Sequence, residues 1–322
     1  MQPLMRSFLW VFALLFLGVG ACSIESAKPI KSQALVIASD FLHEKDTVLF
    51  KDFSKKNGVR LIIRHLSPDQ MITEIESKGY NSGIDLVLSD NMQTPIKLNK
   101  NGLLQDLVEI ESEVKTQNQY ISYKHNFVGI GLDPFVFKYT SDSIQEPKSY
   151  RDLNESQHYH TLSKSDIISF LSPIRREMNR ASTYNWAKKW TGKSSLRPDN
   201  GPWSDSAQVV LCKYSQLKTF KDSIWENYPE GHYFPNREKA GVYFDLMSVS
   251  IVQQAAHFSD AQKFMEHCQN SGYNAALNRR LNRFPIYDYL KSRLEGPKFY
   301  STHIDELLKY HDVLERMLDK LN

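Results

Sequence analysis

Asp90 and His43 are the first residues in this chain whose type and position suit chemistry. Asp90 closes the polar pair Ser89-Asp90 that ends Ile84 to Leu88, a short apolar run bounded by turn residues that reads as a buried parallel strand. In an open α/β sheet, ligands sit beyond the carboxyl ends of parallel strands, so a carboxylate there faces the cleft. His43 lies beyond another apolar run, Ala34 to Ala38, in the same way. Two polar residues leaving neighbouring strand ends converge as a binding site requires. Alone, each has an ordinary reading as a capping or solvated loop residue. His158-Tyr159-His160 places two imidazoles on one strand face, but without Cys or carboxylate neighbours at ligand spacing it reads as a sheet-face pair. Trp186 and Trp190, one helical turn apart, read as core anchors.

The elements that must hold these residues are legible around them. Leu49, Phe50 and Phe53, with Val48, form the apolar side of a helix ending at Asn57-Gly58, where glycine accepts the left-handed C-terminal conformation. Val59, Leu61 and Ile63 alternate as a strand. Ser67, Pro68 and Gln70 open the next helix as N-cap, first-turn proline and capping-box partner, and Met71, Ile72 and Ile75 give it a buried face up to Gly79. Further along, Ser172-Pro173 predicts a helix start whose Arg175, Arg176 and Arg180 are solvated. Val209 to Cys212 predicts a buried strand. Ser259 is expected to cap a helix carrying Ala261, Phe264, Met265 and Cys268, and one long helix is expected from Ile304 to Leu321.

The chain has 322 residues, more than one core commonly supports, so two lobes are expected. It carries 40 Lys and Arg against 37 Asp and Glu. That near-balance, with no basic run interleaved with aromatics, excludes a nucleic-acid footprint. The N-terminus holds one early charge, Arg6, then FLWVFALLFLGVGAC, which is short for a spanning helix and looks like a signal peptide. Val19-Gly20-Ala21-Cys22 resembles the lipobox of bacterial lipoproteins, which implies cleavage of residues 1–21, lipidation of Cys22 and a polar leash over 22–33. Cys212 and Cys268 then remain as the thiols of the mature chain; both lie in apolar surroundings and read as buried free cysteines.

The order strand, His loop, helix to Asn-Gly, strand, Ser-Pro-Asp helix, GYNSGID, strand, Ser-Asp, then Asn-Gly-Leu-Leu is similar to the N-terminal lobe of type 2 periplasmic solute-binding proteins of ABC transporters, above all their ferric-ion-binding branch. Phe127 to Tyr139 resembles the crossover strand leaving the first lobe, Gly241 to Val252 the returning one, and Arg283-Phe284-Pro285-Ile286 an aromatic-proline segment of the same family. The resemblance implies an α/β, two-lobed fold with mixed sheets flanked by helices and a two-strand hinge. It places lobe 1 at 34–130 and 241–288 and lobe 2 at 131–240 and 289–322. His43 and Asp90 fall on two iron-ligand positions of that branch, and Tyr214 matches the first of two tyrosine ligands from the second lobe. Ser215 stands where the second tyrosine does, and Leu132, Asp133 and Phe135 where a Tyr and arginines often serve metal or a synergistic anion.

Carboxylate, phenolate and imidazole suit ferric iron, so His43, Asp90 and Tyr214 would offer three of its positions to the protein and leave the rest to water or an anion. The implied protein is a lipid-anchored envelope monomer, on the periplasmic side or at the outer membrane, that hands Fe3+ to an ABC permease. Within the same fold, a small organic or oxyanion solute would instead use Phe41, Ser215 and Tyr243 as cleft walls with Tyr214. An envelope enzyme or a scaffold lipoprotein is the alternative of a different class; the chain has no nucleophile elbow, HExxH or phosphate-cradling glycine loop.

Overall fold

A computed structural model describes residues 34–107, 118–139, 147–154, 158–196, 209–217, 231–286 and 297–321. The segments expected to be a signal peptide and a leash, and Cys22 between them, lie outside the described residues. Strands β1 (Ala34–Ser39), β2 (Arg60–His65) and β3 (Leu86–Ser89) run parallel, with β1 in the middle. Between β1 and β2 the chain makes a 3-10 turn over Glu44–Phe50 and then α1 (Lys51–Asn57), which ends at Gly58 with φ +65°. Phe50 and Phe53 are buried as expected, but Val48 is 63% exposed, because a 3-10 turn rotates by 120° per residue and turns it off the apolar side.

Helix α2 (Pro68–Lys78) begins with the expected reciprocal capping box of Ser67 and Gln70 and stops at Gly79, and α3 (Gln93–Lys100) follows β3. The short β4 (Ile121–Ser122) pairs with β5 (Phe127–Tyr139), a 13-residue strand that crosses the molecule. Past β5 come β6 (His158–His160), α4 (Lys164–Glu177), α5 (Arg180–Lys193), β7 (Ser194–Leu196), β8 (Val209–Lys213) and β9 (His232–Tyr233). The returning strand β10 (Phe244–Ile251) is antiparallel to both β3 and β5. It leads to α6 (Phe258–Gln269), α7 (Ser271–Arg280), α8 (Ile304–Leu308) and α9 (His311–Asp319). The strand order β2-β1-β3-β10-β5-β8-β6-β7 makes β10 and β5 the junction of the sheet's two halves.

Three sequence expectations give way here. Ser172-Pro173 does not start a helix; α4 begins nine residues earlier, at a capping box of Ser163 and Asp166, and Pro173 lies inside it. An interior proline costs a hydrogen bond, yet burial of Ile168, Phe170, Leu171 and Ile174 on both sides of it carries the helix through. The C-terminal helix is two, broken at Lys309 and Tyr310, and the break lets the Arg175 guanidinium lie 4.9 Å over the Tyr310 ring. His257, not Ser259, is the N-cap of α6, and Asn270 opens α7, which the periodicity had not separated.

The halves of the sheet have their own apolar packing. One cluster joins Leu35, Ile37, Phe50 and Phe53 to Val249, Phe264 and Cys268. The other joins Phe137, Tyr150, Phe170, Trp186 and Trp190 to Tyr243, Leu314 and Met317. Trp186 and Trp190 stack at 5.9 Å inside it, as their spacing predicted. His160 is buried with its ring 5.3 Å from that of Trp190, and burial pushes its imidazole down, so it packs as a neutral core residue. Cys212 and Cys268 are buried and free.

Candidate functional site

Where β1 and β3 end, two aspartates emerge side by side. Asp40 accepts from the backbone N–H of Asp90 at 2.8 Å, from the Ser89 hydroxyl at 2.7 Å and from the Thr94 hydroxyl at 2.8 Å, which fixes the loop after each strand. Burial, and then the neighbouring Asp90 charge, push the Asp40 carboxyl above its ordinary value. Asp90 itself remains 27% exposed at its side chain and makes different contacts. Arg283 pairs with one of its oxygens, and Lys213 Nζ lies 3.2 Å from the other. Burial acts to raise the Asp90 carboxyl, but Arg283 and Lys213 outweigh it and hold the group below the usual carboxylate range.

Lys213 ends β8 with its side chain only 4% exposed. Its ammonium also lies 3.2 Å from Asp166, 3.8 Å from Asp245 and 3.9 Å from Asp133. Burial would lower its proton affinity; these carboxylates reverse that and hold it well above the ordinary lysine value, so it stays charged. Arg283 donates from Nε to Asp133 at 3.4 Å and lies 4.7 Å over the Phe41 ring. Asp133 accepts the Ser215 backbone N–H at 3.0 Å and hydroxyl at 2.6 Å. Asp245, fully buried on β10, is pushed up to about 7 by burial against the pull of Lys213, and one of its oxygens has no hydrogen-bond partner.

Two cations and four carboxylates drawn from six separate segments thus meet where β5 and β10 join the halves of the sheet. Arg283 appeared in the sequence only as part of a proline segment, and Lys213 only as the residue before Tyr214. The available signal was Asp133 and Asp245 inside apolar strand runs: fully buried carboxylates are rare unless paired, so each demanded a cation from elsewhere.

The expected site residues take varied places. Asp90 is at the centre of this cluster, Phe41 covers its arginine and Ser215 anchors on its Asp133. Tyr214 is half-buried beside Lys213, its ring 5.1 Å from that of Phe284 and 5.5 Å from that of His232, and its hydroxyl makes no hydrogen bond to a described residue. His43 is exposed in the loop after β1, stacked 4.1 Å from His65 at the end of β2, a neighbour the sequence reading overlooked. Tyr243 is not a cleft wall: it is 1% exposed, stacks on Tyr150 at 4.4 Å and donates to Glu177, a core position forced by its large ring at the base of β10. Among the described residues, the His and carboxylate side chains close enough to share one ion are His311, Asp312 and Glu315 on α9, where Asp312 is already paired with Lys100 at 2.5 Å.

No family model matches the chain. It is 21% identical over 282 residues to Iron uptake protein A1 of Synechocystis, a match spanning 80% of this chain and 77% of that protein. Among solved structures it is similar to a Trichodesmium protein in complex with iron and citrate ligands, at TM-score 0.75 and 20% identity over 90% of this chain and 99% of that one. It is equally similar to the ferric binding protein from Campylobacter jejuni, at TM-score 0.76 and 16% identity over 89% and 99%. The chain therefore has the two-lobed α/β fold of type 2 periplasmic binding proteins.

Proposed function

We propose that this protein is a lipid-anchored solute-binding protein that captures ferric iron between its lobes and delivers it to an ABC permease. The observation that carries the reading is Asp90, an ionised, partly exposed carboxylate just past β3 that contacts Lys213, the residue before Tyr214, whose hydroxyl makes no hydrogen bond among the described residues. Similarity across nine-tenths of the chain to proteins described as ferric-binding or iron-complexed supports it. His43, Asp90 and Tyr214 are the protein's own ligands in this reading, with lobes divided at 34–130 plus 241–288 and 131–240 plus 289–322. Closure follows because only the shut state lets ligands from both lobes bind one ion.

Arg283 and Lys213 shape the form of the cargo. Both contact Asp90 before any cation arrives, so bare Fe3+ at that carboxylate faces two positive charges, whereas an anion carried with the iron offsets the repulsion between them. Iron with a synergistic anion is therefore the cargo that best balances the site. The same two cations favour a second reading, a small organic or oxyanion solute held by Arg283 and Lys213 with Phe41 and Ser215 as walls. A ferric titration followed at visible wavelengths tests the first reading, since phenolate on Fe3+ gives a charge-transfer band. The band is expected in the presence of citrate or carbonate and should vanish in Tyr214→Phe. A colourless wild type that nevertheless binds citrate alone would move the assignment to the second reading.

A further inference from the structure

On the face formed by α4, α5 and α9 lies a cavity of about 540 Å³ that shares no residue with the Asp90 cluster. Its floor is apolar: Leu314 is fully buried, Met317 nearly so, and Tyr184 packs against the same core. Its rim is cationic. Arg175 from the end of α4, Arg180 from the start of α5, Arg316 from α9 and Lys320 at its C-terminal cap all line it, and no carboxylate among the described residues does.

We propose that this cavity binds a small organic anion with an apolar body. The four cations come from three helices, and neither Arg180, Arg316 nor Lys320 makes an ion pair among the described residues. Arg175 donates through Nη1 to the Met178 carbonyl at 2.8 Å, but its buried Nε has no partner. Like charges that face one another around a recess repel, and an anion removes that repulsion as it binds. Guanidinium groups offer a planar fork of donors that matches carboxylate, sulfonate or phosphate oxygens. The volume falls in the range of ordinary small-molecule sites, and an apolar floor with a few convergent polar groups is their usual chemistry. A purely polar anion would leave that floor unfilled, and a neutral apolar molecule would leave the cations facing one another. An amphipathic anion meets both. The three α9 carboxylates have partners outside the recess: Asp319 pairs with Lys164, Asp312 with Lys100, and Glu315 lies 4.0 Å from His311.

The test uses the full chain and two probes with nearly the same body, anilinonaphthalene sulfonate and uncharged phenylnaphthylamine, followed by calorimetry and fluorescence. One saturable sulfonate site per chain is expected, at least about tenfold tighter than for the uncharged probe and weakened at least about tenfold in Arg180→Glu/Arg316→Glu, since a charge-assisted contact is lost at each position. Ala181→Trp, at an exposed lining residue, should block the site sterically while keeping the charges. The ferric charge-transfer titration should be unchanged in both variants, which separates failure here from failure of the iron reading. Equal binding of the two probes, several equivalent sulfonate sites, or sulfonate binding untouched by the charge reversal would overturn the proposal. Cosedimentation with phosphatidylglycerol vesicles that is lost in Arg180→Glu/Arg316→Glu, without saturable sulfonate binding, would also overturn it, in favour of a bilayer surface.

Discussion

Two groups of cations in this molecule live under opposite rules. Lys213 and Arg283 are 4% exposed and each is surrounded by carboxylates; Arg180, Arg316 and Lys320 are exposed and pair with none among the described residues. In the first group the fold has already supplied the counter-charges, because a buried ion without a partner would cost several kcal/mol. In the second, water solvates the charge and the fold is free to leave it unpaired. A buried cluster therefore defines internal geometry and the charge its cargo must carry, while an open one advertises for an external partner.

The contrast breaks most visibly at Lys213. Lys213→Met leaves Asp133, Asp166 and Asp245 around an apolar side chain, and about 3–5 kcal/mol of stability should be lost in urea unfolding. An unchanged midpoint would mean that the carboxylates are neutral without the lysine.

Asp245 sharpens the same point through pH. Its carboxyl titrates at about 7 in the folded protein, above the ordinary value, so the folded state holds a proton that the unfolded chain has released. The associated stability is complete below the ordinary carboxylate range and is lost as pH rises through about 7. Asp90, shifted downward, acts in the opposite sense: its contribution is present above the ordinary carboxylate range and is lost as the solution is acidified. Comparing urea midpoints near pH 5 and near pH 8 in wild type and Asp245→Asn should show a decline in the first and a flatter profile in the second. Equal slopes would place the Asp245 ionisation elsewhere.

Arg316→Gln is the smallest effect expected. With no ion pair among the described residues to break, its stability change should stay within about 0.5 kcal/mol by the same urea assay, against the several expected at Lys213. A large loss there would show that the outer cations hold the fold after all.

The first half of the sheet was readable because its signals are local. The Ser67 and Gln70 box, Gly58 and the apolar run into Asp90 each specify backbone geometry within a few residues, and the structure reproduces them. Reading failed where burial overrides a local signal, as at Pro173 inside α4, or where a helix breaks inside a continuous apolar stripe, as at Tyr310. The site was half legible. Asp90 followed from its strand; its partners did not, because Lys213 and Arg283 lie 123 and 193 residues away along the chain.

By itself the sequence determined the α/β grammar, the parallel strands at the first edge, the place of Asp90 and the buried state of both described cysteines. Only the tertiary structure decided that Asp90 is neutralised from within, that Tyr243 belongs to the core, and that four cations line one recess, with Arg180, Arg316 and Lys320 in no ion pair among the described residues. The reason is physical. Strand periodicity, caps and glycine turns are short-range properties of backbone and side chain, whereas the ionisation of a carboxylate depends on which charges the fold brings within a few ångströms and how much water it leaves beside them.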